Sequence, residues 1–149
     1  MRLWHYKLIP FLPNSQLLAQ WRELNSIYKK QDKHILINYV YEYPKQDLLA
    51  YSLLVISEMQ KRGLEIRKFE SYYRYFEGVY VKDISDYQHF VPFKNHHNNR
   101  YLLQCFYNLQ EKCDRGQKDF RYGLYLDLED FVKNQRKEVC WWQFQSFLN

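Results

Sequence analysis

Glycine is scarce in this chain: four residues in 149, never clustered. A backbone cradle for nucleotide phosphates needs a run of glycines, so nucleotide hydrolysis is a poor candidate. Neither GxSxG nor HExxH occurs, which makes serine hydrolysis and zinc proteolysis poor candidates too. Cysteine is sparse and odd in number. Cys105, Cys113 and Cys140 form no CxxC pair and read as reduced thiols of an intracellular protein. No apolar run approaches the ~20 residues that cross a bilayer. The N-terminus carries charged and aromatic residues where a signal peptide would have an apolar core. The expectation is a cytoplasmic protein without a membrane anchor. No repeat or low-complexity tract is visible.

What the chain has in quantity is tyrosine and phenylalanine, fifteen and ten copies. That load exceeds what a core of this size usually needs, so some tyrosines must be partly exposed. Exposed aromatics among cations suit stacking on bases, and the plain alternative is packing with wet hydroxyls. The net charge of +5 and a pI near 9.0 favour an acidic partner. The length suits one domain over residues 1–149 that buries roughly two-thirds of its unfolded surface.

Residues 1–13 look extended or irregular, because Pro10 and Pro13 lack donors and restrain their predecessors. Asn14 or Ser15 can cap a helix running to about Lys30, with Leu17, Trp21, Leu24 and Tyr28 as its buried stripe. Glu23 falls on another face with Gln16 and Gln20, where the core would not swallow it. Arg22 shares a third face with Ser15, Ser26 and Lys29. Residues 35–43 fit a strand or a short buried helix equally. After Pro44 the spacing predicts a helix over about 45–62, with Leu49, Leu53, Ile56 and Met59 inside and Gly63 as its stop. Residues 64–95 give little signal beyond the cluster Tyr72–Phe76 with Arg74, which suits core packing or base stacking. A third helix is predicted over about 98–115, with Tyr101, Leu102, Cys105, Phe106, Leu109 and Cys113 inside and Gly116 as its stop. A fourth is predicted over about 127–137, starting from Asp127. The apolar end Cys140–Phe144 is expected to dock back. The fold class is mainly α: a compact single-domain helical bundle with an irregular N-terminal segment and long loops.

The chemistry concentrates at the start of the chain. A free α-amine stands a few residues from a helix carrying Arg22-Glu23, and amine, carboxylate and cations suit Schiff-base chemistry on a polyanion. The run Leu17-Leu18-Ala19-Gln20-Trp21-Arg22-Glu23 resembles the motif L-(L/M)-A-(Q/E)-(W/Y)-R-E of the pyrimidine-dimer DNA glycosylases, the phage endonuclease V type. Residues 48–63 resemble that family's second long helix, and residues 92–116 its third, more closely in the bacterial relatives. The resemblance thus covers about residues 1–63 and 92–116. From Gln117 onward lies a C-terminal extension with no counterpart.

The resemblance implies a DNA-repair glycosylase with coupled lyase activity, acting on duplex DNA and above all on cyclobutane pyrimidine dimers. It makes Glu23 catalytic and sets Arg22 near the lesion. A fixed carboxylate stabilises the positive charge that develops on the sugar as the base leaves. It can also assist the β-elimination that breaks the strand. The family's nucleophile is the α-amine of a threonine exposed by methionine removal. An unperturbed α-amine has a pKa of about 7.7–8.0 against about 10.4 for lysine, so a far larger fraction of it is unprotonated near neutrality. Here residue 2 is Arg2, too large for ready methionine removal, so Met1 itself is expected to supply the amine, with Lys7 as the fallback. Aligning Met1 with that threonine pairs Arg2 with the arginine that follows it, at the expense of one inserted residue.

Arg2, Arg22, Gln16, His96 and Arg100 are the expected DNA contacts. The cluster His96-His97-Asn98-Asn99-Arg100 could hold a phosphate at a helix N-terminus or be a capped, solvated loop. Adjacent histidines cannot readily share one metal, so no metal and no cofactor is expected. The expected partner is lesion-bearing double-stranded DNA, bound by a monomer that joins the nucleoid when engaged. Ser15-Gln16 stands where the phage-type members have Gln-His, and Ser26 where they have a second arginine. These departures leave room for a related glycosylase acting on another damaged or modified base. A non-catalytic nucleic-acid-binding module on the same fold is the third alternative.

Overall fold

Leu17, Trp21, Leu24 and Tyr28, spaced four and three apart, are all buried and form the inner face of α1 (Asn14–Lys29). The computed structural model describes residues 1–31, 33–80 and 87–148, with 136–148 as backbone alone. Its other helices are α2 (Lys45–Lys61), α3 (Glu70–Tyr75), α4 (Asn99–Asp114) and α5 (Tyr122–Leu148). No strand occurs among the described residues, and the fold is all-α. Nor is any helix there long and apolar enough to cross a membrane.

The start of α1 corrects the expected cap. Pro13 is the N-cap, its carbonyl accepting from Gln16 and Leu17 N–H at 2.9 and 3.0 Å. One first-turn donor that a side-chain cap could satisfy goes instead to Asp119, which accepts from Ser15 N–H at 2.7 Å and also from the Ser15 hydroxyl at 3.0 Å. A carboxylate at that end also suits the helix dipole. Sequence could not supply this cap, because its carboxylate is 104 residues away.

Within residues 1–13, Tyr6–Phe11 winds into a 3₁₀ turn rather than staying irregular. Pro10 is tolerated because its fixed φ fits 3₁₀ geometry. Residues 35–43 are neither strand nor buried helix: a turn leads into a second 3₁₀ segment, Asn38–Glu42. Helix α2 is buried around most of its girth, from Leu48 to Ser52 and again at Val55, Ile56 and Met59, whereas Leu53 is half-buried. Gly63, at φ 71°, ends it as expected, and Gly116, at φ 79°, follows α4. Leu102, Cys105, Phe106 and Leu109 are the buried stripe of α4, while Tyr101 and Cys113 are half-buried. In and after α3, Tyr72, Tyr75 and Phe76 pack on Tyr28, leaving Tyr73 and Arg74 outside.

Helix α5 begins five residues before Asp127. Tyr125, Leu128 and Val132 already repeat at three and four and bury against the bundle, so packing sets the start. The expected docking of Cys140–Phe144 lies outside the described side chains. One buried cluster runs from Leu3 to Val132, and the 3₁₀ turn at Tyr6–Phe11 touches α2, α4 and α5. The N-terminal segment is thus a packed element of the bundle, and this positions the site.

Candidate active site

Residues 2–7 run across α1, α2 and α4 with nearly every backbone group bonded. Gln20, 1 % exposed, is the hub. Its Oε1 accepts from Trp4 N–H at 2.9 Å and from Tyr51 O–H at 3.0 Å. Its Nε2 donates to the Arg2 carbonyl at 3.1 Å and to Glu23 Oε2 at 3.0 Å. Tyr51 O–H also donates to the Trp4 carbonyl at 2.7 Å, and Tyr101 O–H donates to that of Leu3. Cys105 Sγ accepts from the His5 backbone.

Two histidines complete the clasp. His97 Nδ1 accepts from Tyr6 N–H at 3.2 Å, its Nε2 meets Tyr39 Oη at 2.7 Å, and its carbonyl receives His5 Nε2–H at 2.9 Å. Both rings are buried and stacked, with centroids 5.3 Å apart. Burial lowers His5 to about 4, with the nearby Lys7 charge adding to the effect. Burial likewise holds His97 well below its ordinary value, reinforced by His5 and His96. Asp47, on the first turn of α2, sets this register. It accepts from Phe93 N–H at 2.8 Å, and the Phe93 carbonyl receives His96 and His97 N–H at 2.9 and 2.8 Å. The sequence reading passed over His5 and treated His97 as part of an exposed cluster. The only signal for their burial was aromatic neighbours around each.

The clasp brings the N-terminus to Glu23. Arg2 N–H donates to Glu23 Oε2 at 3.4 Å, one residue from the α-amine of Met1. Met1, Arg2, Trp4, Gln16, Ala19, Gln20, Glu23, Asn108 and Lys112 enclose a cavity of about 230 Å³. Glu23 is half-buried there, which corrects the expectation that its face would stay clear: Gln20 and Glu23 are covered by the N-terminal segment. Burial raises the Glu23 carboxyl above its usual value. The Arg2 amide, the N-terminal charge, Gln20 and Arg22 pull it partly back. A raised carboxylate beside an amine is suited to accepting a proton.

The other expected residues divide among neighbouring surfaces. Gln16 lines the Glu23 cavity, its Nε2 donating to Gln117 Oε1 at 3.4 Å. Arg2 turns its guanidinium inward, to the Cys105 thiol and 6.0 Å from the Trp4 ring centroid. Arg22 is exposed and lines a different cavity on the adjacent face of α1, with Lys29, Arg67 and Lys68. His96 and Arg100 border a third groove. There His96 stacks on Tyr39 at 4.7 Å and bonds Tyr43 Oη at 2.7 Å. Lys7, the fallback amine, does not reach the Glu23 cavity; its Nζ donates to Gln135 Oε1 at 3.0 Å. Asn108 and Lys112 were missed by the sequence reading. They sit at i and i+4 on a half-buried flank of α4, a spacing that in sequence is indistinguishable from an ordinary solvated face.

Residues 1–71 match the family model described as pyrimidine dimer DNA glycosylase. The matched stretch contains α1, Glu23 and the whole clasped N-terminal segment, so the family resemblance read from Leu17–Glu23 holds across that stretch. No curated protein matches the chain, and no solved structure does either.

Proposed function

We propose that this chain, whose first 71 residues match the pyrimidine dimer DNA glycosylase family, excises a damaged base from duplex DNA and then cleaves the strand as a lyase. The observation that carries the reading is the Arg2 N–H to Glu23 contact, which fixes the N-terminus and a half-buried carboxylate in one cavity. An imine glycosylase needs this pair of groups within one site.

In this reading the neutral Met1 α-amine attacks C1′ of the damaged nucleotide. The N-glycosidic bond breaks, and its electron pair leaves with the base. Glu23 stabilises the positive charge that develops on the sugar. Loss of a proton from the nitrogen and opening of the ring give the C1′ imine. Glu23 then accepts a proton from C2′, the C3′–O bond breaks, and the 3′ phosphate departs. Water hydrolyses the imine and frees the amine. Arg22 and Lys112 supply positive charge around the flanking phosphates, whereas the inward-turned Arg2 does not reach them, and His96 and Arg100 hold the duplex at the start of α4. Cyclobutane pyrimidine dimers are the substrate the family implies.

A second reading, a different damaged or modified base, has its own support. Ser15 and Gln16 are engaged by Asp119 and Gln117 of the C-terminal region, so the α1 start presents a different surface to DNA.

Borohydride trapping on ultraviolet-irradiated, abasic and undamaged duplexes tests both, with intact mass used to identify the terminal residue. An adduct on irradiated DNA that maps to the Met1 peptide, and cleavage at least a hundredfold slower in Glu23→Gln, is the expected result. An adduct on abasic DNA alone leaves the imine chemistry and rejects the dimer. No adduct on any substrate rejects the enzyme and favours a binding module.

A further inference from the structure

Ile35 and Leu36 sit at the apex of a turn that cannot fold them inward. The His34 carbonyl receives N–H from Ile37 and Asn38, each at 2.9 Å, and its Nδ1 accepts from Leu36 N–H at 3.2 Å. Beyond the apex, Ile37 and Val40 are buried in the core, at 0 % and 3 % exposure. The apex itself is held out, with Ile35 at 86 % and Leu36 at 42 % exposure. Two adjacent apolar side chains on a pinned turn are costly to leave in water.

Their surroundings suit a polyanion with an apolar interior. Ile35 and Leu36 border a groove of about 290 Å³ with Tyr39, His96, Arg100 and Gln104. Arg100 and Gln104 begin a stripe at i+4 intervals on α4 that continues through Asn108 and Lys112, both in the Glu23 cavity. At ~1.5 Å per residue the stripe spans about 18 Å. At ~3.4 Å per base pair that is about five steps of duplex.

We propose that Ile35 and Leu36 form an apolar wedge that enters the base stack about five base pairs from the nucleotide held at Glu23, unstacking one step and kinking the DNA. Apolar side chains flanked by cations deform duplexes in this way, because a bent duplex meets more protein surface. The inference rests on the proposed DNA-repair reading and adds a deformation site that the cavity at Glu23 does not require.

The test uses the full chain and duplexes with a tetrahydrofuran abasic analogue, carrying 2-aminopurine singly at each position three to seven base pairs to either side. Wild type is expected to raise the fluorescence several-fold at one position near five, and to bring dye-labelled duplex ends closer. The double variant Ile35→Ser with Leu36→Ser is expected to lose both signals and to bind about tenfold more weakly. Its thermal midpoint and its borohydride trapping on single-stranded abasic DNA should match wild type. Fluorescence unchanged at every position while abasic trapping is intact would overturn the wedge and leave the enzyme reading standing. The same signals persisting in the double variant would also overturn it. Absence of both DNA binding and trapping by wild type would sink the two together.

Discussion

Gln20→Ala removes a buried side chain to which the proposed reaction gives no chemical step, and on that proposal it should still disable imine formation. The substitution leaves Trp4 N–H buried without an acceptor and takes a donor from the Arg2 carbonyl and from Glu23 Oε2. Tyr51 O–H keeps the Trp4 carbonyl as a partner, so it is not orphaned. One orphaned buried donor costs about 1–3 kcal/mol and each of the two further lost bonds about 1, giving roughly 3–5 kcal/mol of lost stability. For a chain of this length that lowers the thermal midpoint by roughly 6–20 °C. The effect on chemistry should be separable from the effect on folding. With Gln20 gone the Met1 amine and Glu23 lose their common anchor, and a displacement of about 1 Å is worth roughly a hundredfold in rate. The assay is single-turnover borohydride trapping on abasic duplex at 20 °C, with circular dichroism at that temperature to check that the variant is folded, alongside a melting curve. A Gln20→Ala protein that melts lower but traps at the wild-type rate would refute the argument that this hub positions the amine.

Acid should loosen the same clasp through its histidines. An unfolded histidine protonates near 6.5, whereas folded His5 resists until about 4, and His97 is also held low. Stability from these groups is therefore complete above pH 6.5 and is lost as pH falls toward 4. His5 alone contributes roughly 3 kcal/mol. Urea midpoints between pH 7 and 4.5 should fall steeply in wild type and less so in His5→Gln, and equal slopes would contradict the assignment. At the other end of α1, Asp119→Ala should cost about 1 kcal/mol by uncapping the helix. Asp119→Asn, which keeps one acceptor, should cost less. Thermal melts that place the two variants together, or both at the wild-type value, would show that the long-range cap contributes nothing.

The helices were legible where burial follows a local period. Leu17 to Tyr28 and Leu102 to Leu109 repeat at three and four, and a repeat of that kind reports a buried face wherever the chain goes. Gly63 and Gly116 were legible as stops because only glycine takes a positive φ there without strain. The run Leu17–Glu23 was legible as a family pattern, in keeping with the match over residues 1–71, and through it Glu23 as the candidate carboxylate. The pieces that build the candidate site were not periodic. Asp119 as a cap, Gln20 as a hub, the burial of His5 and His97, and Lys112 beside Glu23 each join residues far apart in the chain, and no local window contains both partners. The register of α5 was misread for a related reason, since its start is set by packing of Tyr125 and Leu128 rather than by an N-cap residue. Sequence alone thus determined the helical class and the main helix boundaries and singled out Glu23 as the candidate carboxylate, because propensity, period and motif are local properties. The tertiary structure alone decided that the N-terminus lies pinned against Glu23, because that placement depends on hydrogen bonds from α1, α2 and α4 converging on one extended segment.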